Sequence, residues 1–191
     1  MTIAALKEGV RRKAQERRAA LKPRAAELSR ILAQIFQDQI ALPLDATVSA
    51  YAAIGDEADP APLLQALRAR GYKIALPRVA GRGKPLEFHG YEPGSSLVPG
   101  GFGLSEPARD WPKAEPDILI VPLLAFDARG YRIGYGAGFY DRTLAKLRAA
   151  RAVLAIGFAF AGQEFETVPY DQNDQRLNWV VTENGAREFQ R

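Results

Sequence analysis

The sequence contains no cysteine and only one histidine, His89, among its 191 residues. The lack of cysteine excludes disulfides, zinc–thiolate and iron–sulfur centres, and cysteine nucleophiles. One histidine cannot form an HExxH motif or a multi-histidine metal site, and no GxSxG elbow offers it a serine partner. We therefore expect His89 to be a structural or surface residue. Any bound metal should be a hard, oxygen-liganded ion such as Mg²⁺.

Long hydrophobic runs are also missing from the chain. The longest stretch free of polar side chains is ILIVPLLAF at 118–126, far shorter than the roughly 20 apolar residues that span a bilayer. Hydrophobic residues make up 47% and charged residues 25% of the sequence, which is the composition of an ordinary globular protein. We predict a single domain over residues 1–191, in the cytoplasm and without a membrane partner.

The net charge of +4 is concentrated at the amino terminus. Residues 1–24 carry eight basic and two acidic side chains, so the rest of the chain is slightly acidic. This basic segment has four interpretations, namely a solvated helix face, a phosphate-binding edge, a nucleic-acid contact and a presequence. The presequence has the least support, because the segment contains acids, lacks serine and has no apolar core region.

Hydrophobic periodicity predicts alternating helices and strands. Two helices are separated at Pro23, a third begins at Asp59 and Pro60, and a fourth follows the glycine-rich segment described below. Strands are predicted for five short apolar runs, at 47–54, 73–76, 117–122, 153–158 and 179–182. The last run precedes a short polar tail. This order predicts an α/β fold with one layered, mostly parallel sheet, helices on both faces and an N-terminal helical segment.

Residues 90–107 contain five glycines and three prolines. This composition predicts a long loop without regular structure. Loops of this length inside a compact domain usually act as lids or binding loops.

The most informative segment is AFDARGYRIGYGAGFYDRTL at 125–144, where a buried strand leads to Gly134, Gly136 and Gly138 and then to a helix. Successive backbone N–H groups and a helix dipole that converge on one point form an anion nest. The spacing GxGxG is neither the dinucleotide-binding GxGxxG nor a Walker loop. The glycines alone are therefore consistent with either a tight connection or a phosphate site.

Two charged neighbours favour the phosphate interpretation. Arg132 places a positive charge just before the glycines, and Asp141 places a carboxylate near the start of the helix. Asp141 could simply complement the helix dipole. Together with the glycines, however, the two side chains form an arrangement suited to Mg²⁺ and phosphoryl oxygens.

The chain resembles the 5-formyltetrahydrofolate cyclo-ligases, or methenyltetrahydrofolate synthetases, over nearly its whole length. The segments that carry the resemblance are KEGVR at 7–11, YAAIGDEAD at 51–59, FGLSEP at 102–107, PDILIVPLLAFD at 116–127, RIGYGAGFYD at 132–141 and PYDQNDQRLN at 169–178. It implies an ATP- and Mg²⁺-dependent conversion of 5-formyltetrahydrofolate to 5,10-methenyltetrahydrofolate, with release of ADP and phosphate. In this mechanism the formyl oxygen takes the γ-phosphoryl group and N10 closes on the activated carbon.

The same resemblance implies a role for individual residues. ATP would be bound by Lys7, Arg11, Arg132, Ile133, Gly134, Tyr135, Gly136, Ala137, Gly138, Phe139 and Tyr140, of which Arg132 and Tyr140 would be catalytic. Folate would be bound by Ala52, Glu57, Phe102, Tyr135, Gly136, Gly138 and Phe139. Mg²⁺ would be held by Asp141 and Asp174, with Asp127 or water as alternatives to Asp174.

Two positions depart from the family pattern, and two other functions stay open. Phe139 stands where many relatives have a second tyrosine, and Ala137 stands where glycine or lysine is common. One alternative is an α/β enzyme that acts on a sugar phosphate or an acyl-CoA without ATP. The other is a nucleic-acid-binding protein that uses the arginine-rich helix, although the rest of the chain is slightly acidic. We expect a monomer that binds folate, with or without a polyglutamate tail, and no nucleic acid.

Overall fold

The computed structural model describes residues 2–92 and 95–190, apart from the side chain of Phe102. Within these residues there are four α-helices: α1 (Ile3–Leu21), α2 (Ala25–Gln39), α3 (Ala61–Ala69) and α4 (Phe139–Ala150). The described residues also form eleven strands: β1 (Thr47–Ser49), β2 (Lys73–Val79), β3 (Leu86–Gly90), β4 (Val98–Pro99), β5 (Ser105–Glu106), β6 (Ile118–Val121), β7 (Ala125–Phe126), β8 (Arg132–Ile133), β9 (Leu154–Phe158), β10 (Trp179–Thr182) and β11 (Gly185–Glu188).

Seven strands form one central sheet in the order β11-β10-β9-β6-β1-β2-β3. The five inner strands run parallel, whereas β3 and β11 pair antiparallel with β2 and β10 at the two edges. Val48 of β1 is aligned with Ile74 on one side and with Ile118 on the other. The predicted α/β class with a mostly parallel sheet is therefore confirmed.

The two faces of the sheet are covered by different helices. Residues of β6 alternate between the faces, so that Ile118 and Ile120 pack with α2 and α3 while Leu119 and Val121 pack with Leu144 of α4. This alternation follows from the two-residue period of a strand. Burial of each such side chain contributes roughly 1.5 to 3 kcal/mol, which holds the strand ends in place for the site.

The N-terminal helices are separated where Pro23 predicts a break, by a short 3-10 turn over Lys22–Arg24. The hydroxyl of Thr2 accepts a hydrogen bond from the N–H of Ala5 and caps α1. Ala14 is fully buried against the hairpin of β7 and β8. Helix α1 therefore lies across the glycine loop instead of on the sheet. In the described ranges, no helix is both long and apolar enough to cross a membrane.

Three segments carry more regular structure than the sequence predicts. The sequence predicts an irregular loop at 90–107, but the described part of this stretch contains a 3-10 turn over Gly101–Gly103 and the small ladder of β4 with β5. A side chain at Gly100 would overlap Glu106, so the glycine permits this hairpin. The polar tail forms β11, and β3 was not predicted either. Both are edge strands, which tolerate polar residues because one side faces solvent.

Candidate active site

The glycine loop joins β8 to α4 in a conformation that requires glycine. Gly136 has a φ of +99° and Gly138 a φ of +67°, in the region that L side chains rarely adopt. A Cβ atom at Gly136 would lie 3.3 Å from Cζ of Arg11, so this glycine also makes room for the guanidinium of α1. The loop backbone is therefore shaped against α1 at the start of α4.

The hairpin that carries this loop is held by Asp127, which is fully buried. Its carboxylate accepts hydrogen bonds from the N–H groups of Arg129, Tyr131 and Val168 and from the Arg129 guanidinium. These contacts saturate a carboxylate with donors. Asp127 is absent from the described residues that line the cavity next to the loop. It therefore stabilises the hairpin, and the alternative of Asp127 as a metal ligand is not supported.

A cavity of about 930 Å³ opens between the glycine loop, α1 and the ends of β1 and β2. It brings together every predicted site residue whose side chain is described. These residues are Lys7, Arg11, Ala52, Glu57, Arg132, Ile133, Gly134, Tyr135, Gly136, Ala137, Gly138, Phe139, Tyr140, Asp141 and Asp174. The predicted Phe102 side chain lies outside the description. The roles of all these residues remain predictions.

One end of the cavity is charged, and Arg132 is at its centre. Arg132 is only 7% exposed. Its Nη2 donates to Oδ1 of Asp141 at 2.9 Å, and its Nη1 donates to the backbone carbonyl of Gln175. The N–H of Gln175 donates to the same Oδ1 of Asp141 at 3.0 Å. The segment after residue 170 is thus joined to the start of α4 through one arginine and one carboxylate.

Lys7 and Arg11 of α1 face the same end. The Nζ of Lys7 donates to Oδ2 of Asp171 at 2.7 Å and to Oδ2 of Asp174 at 2.5 Å. Burial lowers the pKa of Lys7, but the hydrogen bonds and charges of the two aspartates raise it above its ordinary value. The Nε of Arg11 donates to the carbonyl of Gly134 at 3.0 Å. Both cations are therefore fixed against loops that line the cavity.

The predicted metal ligands fit a magnesium ion that is shared with phosphates. No group of three or more histidine, cysteine or acidic residues that could hold a metal occurs in the described part of the chain. The hydrogen bonds of Asp141 use Oδ1, and those of Asp174 use Oδ2, so each carboxylate has a second oxygen to offer. Mg²⁺ is usually bound by one or two carboxylates together with substrate phosphates and water. Asp141 and Asp174 could supply the carboxylate ligands of such a magnesium site.

The other end of the cavity is largely apolar and contains two buried acids, Glu57 and Glu106. Its apolar lining includes Tyr51, Ala52, Pro77, Val79, Leu86 and Leu104. Glu57 is 7% exposed, and its Oε2 accepts from the N–H of Ile54 at 2.9 Å. Its Oε1 accepts from the hydroxyl of Tyr135 at 2.8 Å. Burial raises the pKa of the Glu57 carboxyl.

The sequence analysis assigned no role to four residues that lie near the cavity: Arg18, Arg142, Asp171 and Gln175. The Nη2 of Arg142 donates to the carbonyl of Ala137 at 2.6 Å. Arg18 contacts the hydroxyl of Tyr135. A helical period of 3.6 would have found Arg18, because positions 7, 11, 14 and 18 share one face of α1. Asp171 and Gln175 adjoin Asp174 in an irregular segment, where no periodic signal exists.

Comparisons with known proteins identify relatives over most of the chain. The model of the 5-formyltetrahydrofolate cyclo-ligase family matches residues 4–183. The chain is 38% identical over 144 residues to a 5-formyltetrahydrofolate cyclo-ligase of Mycolicibacterium smegmatis, covering 71% of this chain and 73% of the relative. It is 35% identical over 151 residues to the cyclo-ligase of Escherichia coli, covering 75% of this chain and 81% of the relative.

Solved structures give the same answer. The NMR structure of Aquifex aeolicus 5,10-methenyltetrahydrofolate synthetase superimposes with a TM-score of 0.78 at 30% identity, covering 97% of this chain and 94% of that one. A 5,10-methenyltetrahydrofolate synthetase from Mycoplasma pneumoniae gives a TM-score of 0.70 at 22% identity, covering 95% and 98%. At 22% identity, the second comparison shows only that the two proteins share a fold.

Proposed function

Because the chain belongs to the 5-formyltetrahydrofolate cyclo-ligase family, we propose that its cavity carries out the ATP-dependent conversion of 5-formyltetrahydrofolate to 5,10-methenyltetrahydrofolate. The observation that carries this assignment is the division of one cavity of about 930 Å³ into a charged end and an apolar end with a buried carboxylate. Ligand sites commonly enclose about 300 to 1,000 Å³. The two ends suit a triphosphate and a pteridine ring held side by side.

The charged end would bind the phosphates of ATP. Lys7 and Arg132 are paired with Asp174 and Asp141, which line the same cavity. On binding, Lys7 would exchange a carboxylate partner for phosphate oxygens, while Arg11 and the N–H groups of the glycine loop supply further donors. ATP supplies the phosphoryl group that makes the formyl oxygen a good leaving group. Arg132 is buried and rigidly held, so it is placed to stabilise charge on the transferring group.

Asp141 and Asp174 would hold Mg²⁺ at this end through the oxygens that are not engaged with the protein. The ion would neutralise phosphate charge and orient the triphosphate. If Lys7 turned toward phosphate while Asp174 held Mg²⁺, and Arg132 stayed paired with Asp141, every charge would keep a partner. Local neutrality of this kind is what makes a buried cluster of charges tolerable.

The apolar end would bind the folate ring. A pteridine presents adjacent N–H donors on one edge, and a carboxylate is the acceptor that matches such an edge. Glu57 lies at this end with both oxygens oriented by protein donors. Tyr140 lines the same cavity, and burial raises the pKa of its hydroxyl. Tyr140 therefore keeps its proton at neutral pH and can donate to a reacting oxygen.

The direct test is to mix the purified protein with 5-formyltetrahydrofolate, Mg²⁺ and ATP and to follow the methenyl chromophore in the near ultraviolet. We expect a signal that requires ATP and that is lost in Asp141→Asn. Asp38→Asn, an exposed aspartate on α2, is the matched control and should retain the signal. No chromophore with any nucleotide would overturn the proposed reaction. An equal rate in Asp141→Asn across a titration of Mg²⁺ would overturn the metal assignment alone.

Membership of the cyclo-ligase family argues against an enzyme that works without ATP, and the site gives no support to nucleic-acid binding. Lys7 and Arg11 turn inward and make ion pairs or hydrogen bonds at the cavity, whereas a nucleic-acid surface needs its cations free on the outside. We further propose that the enzyme acts as a cytoplasmic monomer. Exposed Arg12 and Lys13 on α1 could receive a polyglutamate tail. Comparison of KM for mono- and pentaglutamyl substrate at low and high salt tests that preference.

A further inference from the structure

A buried arginine behind the folate end of the cavity has no part in the reaction described above. Arg18, in the last turn of α1, is 4% exposed. Arginine is almost never buried to this degree unless it is paired. Its Nε donates to Oδ1 of Asp56 at 2.8 Å, and its Nη2 lies 2.7 Å from the same oxygen. The helix is thereby joined to the acidic turn that contains Glu57.

The same guanidinium reaches the glycine loop. Its Nη2 also donates to the hydroxyl oxygen of Tyr135 at 2.8 Å, and that hydroxyl donates to Oε1 of Glu57 at 2.8 Å. A guanidinium has donors and no acceptor, so the tyrosine oxygen must accept from Arg18. The single hydroxyl proton is then left for Glu57. Arg18 thus determines the direction of the hydrogen bond that orients the carboxylate.

We propose that Arg18 is a positioning residue for folate binding, which holds the Tyr135 hydroxyl and the Glu57 carboxylate in the arrangement that the substrate meets. Glu57 and Tyr135 are among the described residues that line the cavity and Arg18 is not, so it acts through them. This role rests on the proposed function of the apolar end.

The charges around Glu57 support the same role. Burial raises the pKa of this carboxyl, whereas the Ile54 N–H, the Tyr135 hydroxyl and the charge of Arg18 lower it. Asp56, the other acid in the turn, raises it. The remaining titratable neighbours, Tyr51 and Tyr140, are phenols whose pKa values are themselves raised by burial. Arg18 is therefore the cation that balances two adjacent carboxylates.

One further contact concerns the other terminal nitrogen of Arg18. Its Nη1 is buried without a hydrogen-bond partner among the described residues and lies 3.9 Å from Oε1 of Glu57. An unsatisfied buried donor is unfavourable unless a nearby anion compensates for it. Protonation of Glu57 would remove that anion. The pair therefore favours an ionised carboxylate, which is the form that accepts hydrogen bonds from a pteridine edge.

The test compares Arg18→Met and Arg18→Lys with Arg30→Met, an exposed arginine on α2. We expect Arg18→Met to raise the KM for 5-formyltetrahydrofolate about tenfold or more, with little change in the KM for ATP. The sign of the pH effect follows from Glu57. As the pH falls, protonation of Glu57 should weaken folate binding. Because loss of the Arg18 cation raises the pKa of Glu57 further, this weakening should begin at a higher pH in Arg18→Met than in the wild-type protein. Arg18→Lys should restore the pH profile but only part of the affinity.

A double-mutant cycle with Glu57→Gln separates positioning from simple support of the fold. If Arg18 acts through Glu57, Arg18→Met should add little to Glu57→Gln. Additive effects, an unchanged pH profile, or a parallel rise of both KM values with a lower melting temperature would each overturn the proposal. Should Arg18→Met fail to fold, Tyr135→Phe breaks the same connection at a side chain that is 46% exposed. It should raise the folate KM and, because the Tyr135 hydroxyl lowers the pKa of Glu57, shift the pH profile in the same direction.

Measuring methenyl product formation by the wild-type protein distinguishes failure of the proposed reaction from failure of the role proposed for Arg18. A wild-type protein that forms no methenyl product overturns the proposed function, and the role of Arg18 falls with it. A wild-type protein that turns over normally, together with an unaltered folate KM in Arg18→Met and Tyr135→Phe, overturns the role of Arg18 alone.

Discussion

The two ends of the cavity hold their charges in different ways. At the charged end, Lys7 and Arg132 and the carboxylates that neutralise them all line the cavity, so a ligand meets both members of each pair. At the apolar end, Glu57 lines the cavity, whereas Arg18, the arginine paired with it, is not among the described residues that line the cavity. The first arrangement allows pairs to exchange partners on binding. The second fixes one acceptor in one orientation, which favours recognition over charge exchange.

The largest effect should come from removing the central cation of the charged end. Arg132→Met leaves Asp141 without its partner and removes the only buried guanidinium among the described residues that line the cavity. We expect kcat to fall by about 10² to 10³-fold, as for loss of one preorganised donor. Initial rates at saturating substrates measure it, with Arg109→Met, an exposed arginine, as the control. A rise in the ATP KM with kcat unchanged would mean that Arg132 binds ATP without acting in the transition state.

The next effect concerns stability at the hairpin that carries this end. Asp127→Asn removes a buried charge that accepts from three backbone N–H groups and from Arg129. We expect a loss of roughly 2 to 3 kcal/mol, because hydrogen bonds to a charged group are involved. Thermal unfolding measures it, with Asp110→Asn as an exposed control. The Mg²⁺ dependence of the rate should be unchanged. A higher Mg²⁺ requirement with an unaltered melting temperature would restore Asp127 as a metal ligand.

The comparison also explains which parts could be predicted from the sequence. At the charged end one continuous segment, 132–141, has glycine spacing and flanking charges that carry local information, whereas Lys7 and Asp174, 167 positions apart, were assigned only through the family resemblance. The apolar end is built from distant contacts, such as that between Arg18 and Tyr135, which are 117 positions apart. No local pattern encodes such a pair. The edge strands β3 and β11 and the ladder of β4 with β5 escaped prediction for the same reason, because pairing partners rather than apolar periodicity define them.

A smaller effect should come from the backbone of the glycine loop. Gly136→Ala forces a side chain into a positive φ and toward the Arg11 guanidinium. The left-handed conformation costs a non-glycine residue about 1 to 2 kcal/mol, so we expect the ATP KM to rise by about 5- to 30-fold. Gly134→Ala is the matched comparison, because Gly134 has no positive φ and a Cβ there meets nothing within 4 Å. The same rise in both variants would show that loop geometry at Gly136 is not the cause.

The smallest effect tests whether the charged end responds to added charge while the apolar end does not. Ala137 is exposed beside Arg142, which donates to its carbonyl. Ala137→Lys should lower the ATP KM by about twofold to fivefold at low salt, since an exposed charge contributes little. The gain should disappear as salt increases. Ala137→Gln provides similar length without charge and should have no such salt dependence, and the folate KM should stay constant in both variants. If Ala137→Lys instead raises the ATP KM, repulsion from Arg142 outweighs attraction to phosphate, and the charged end already holds as many cations as it can use.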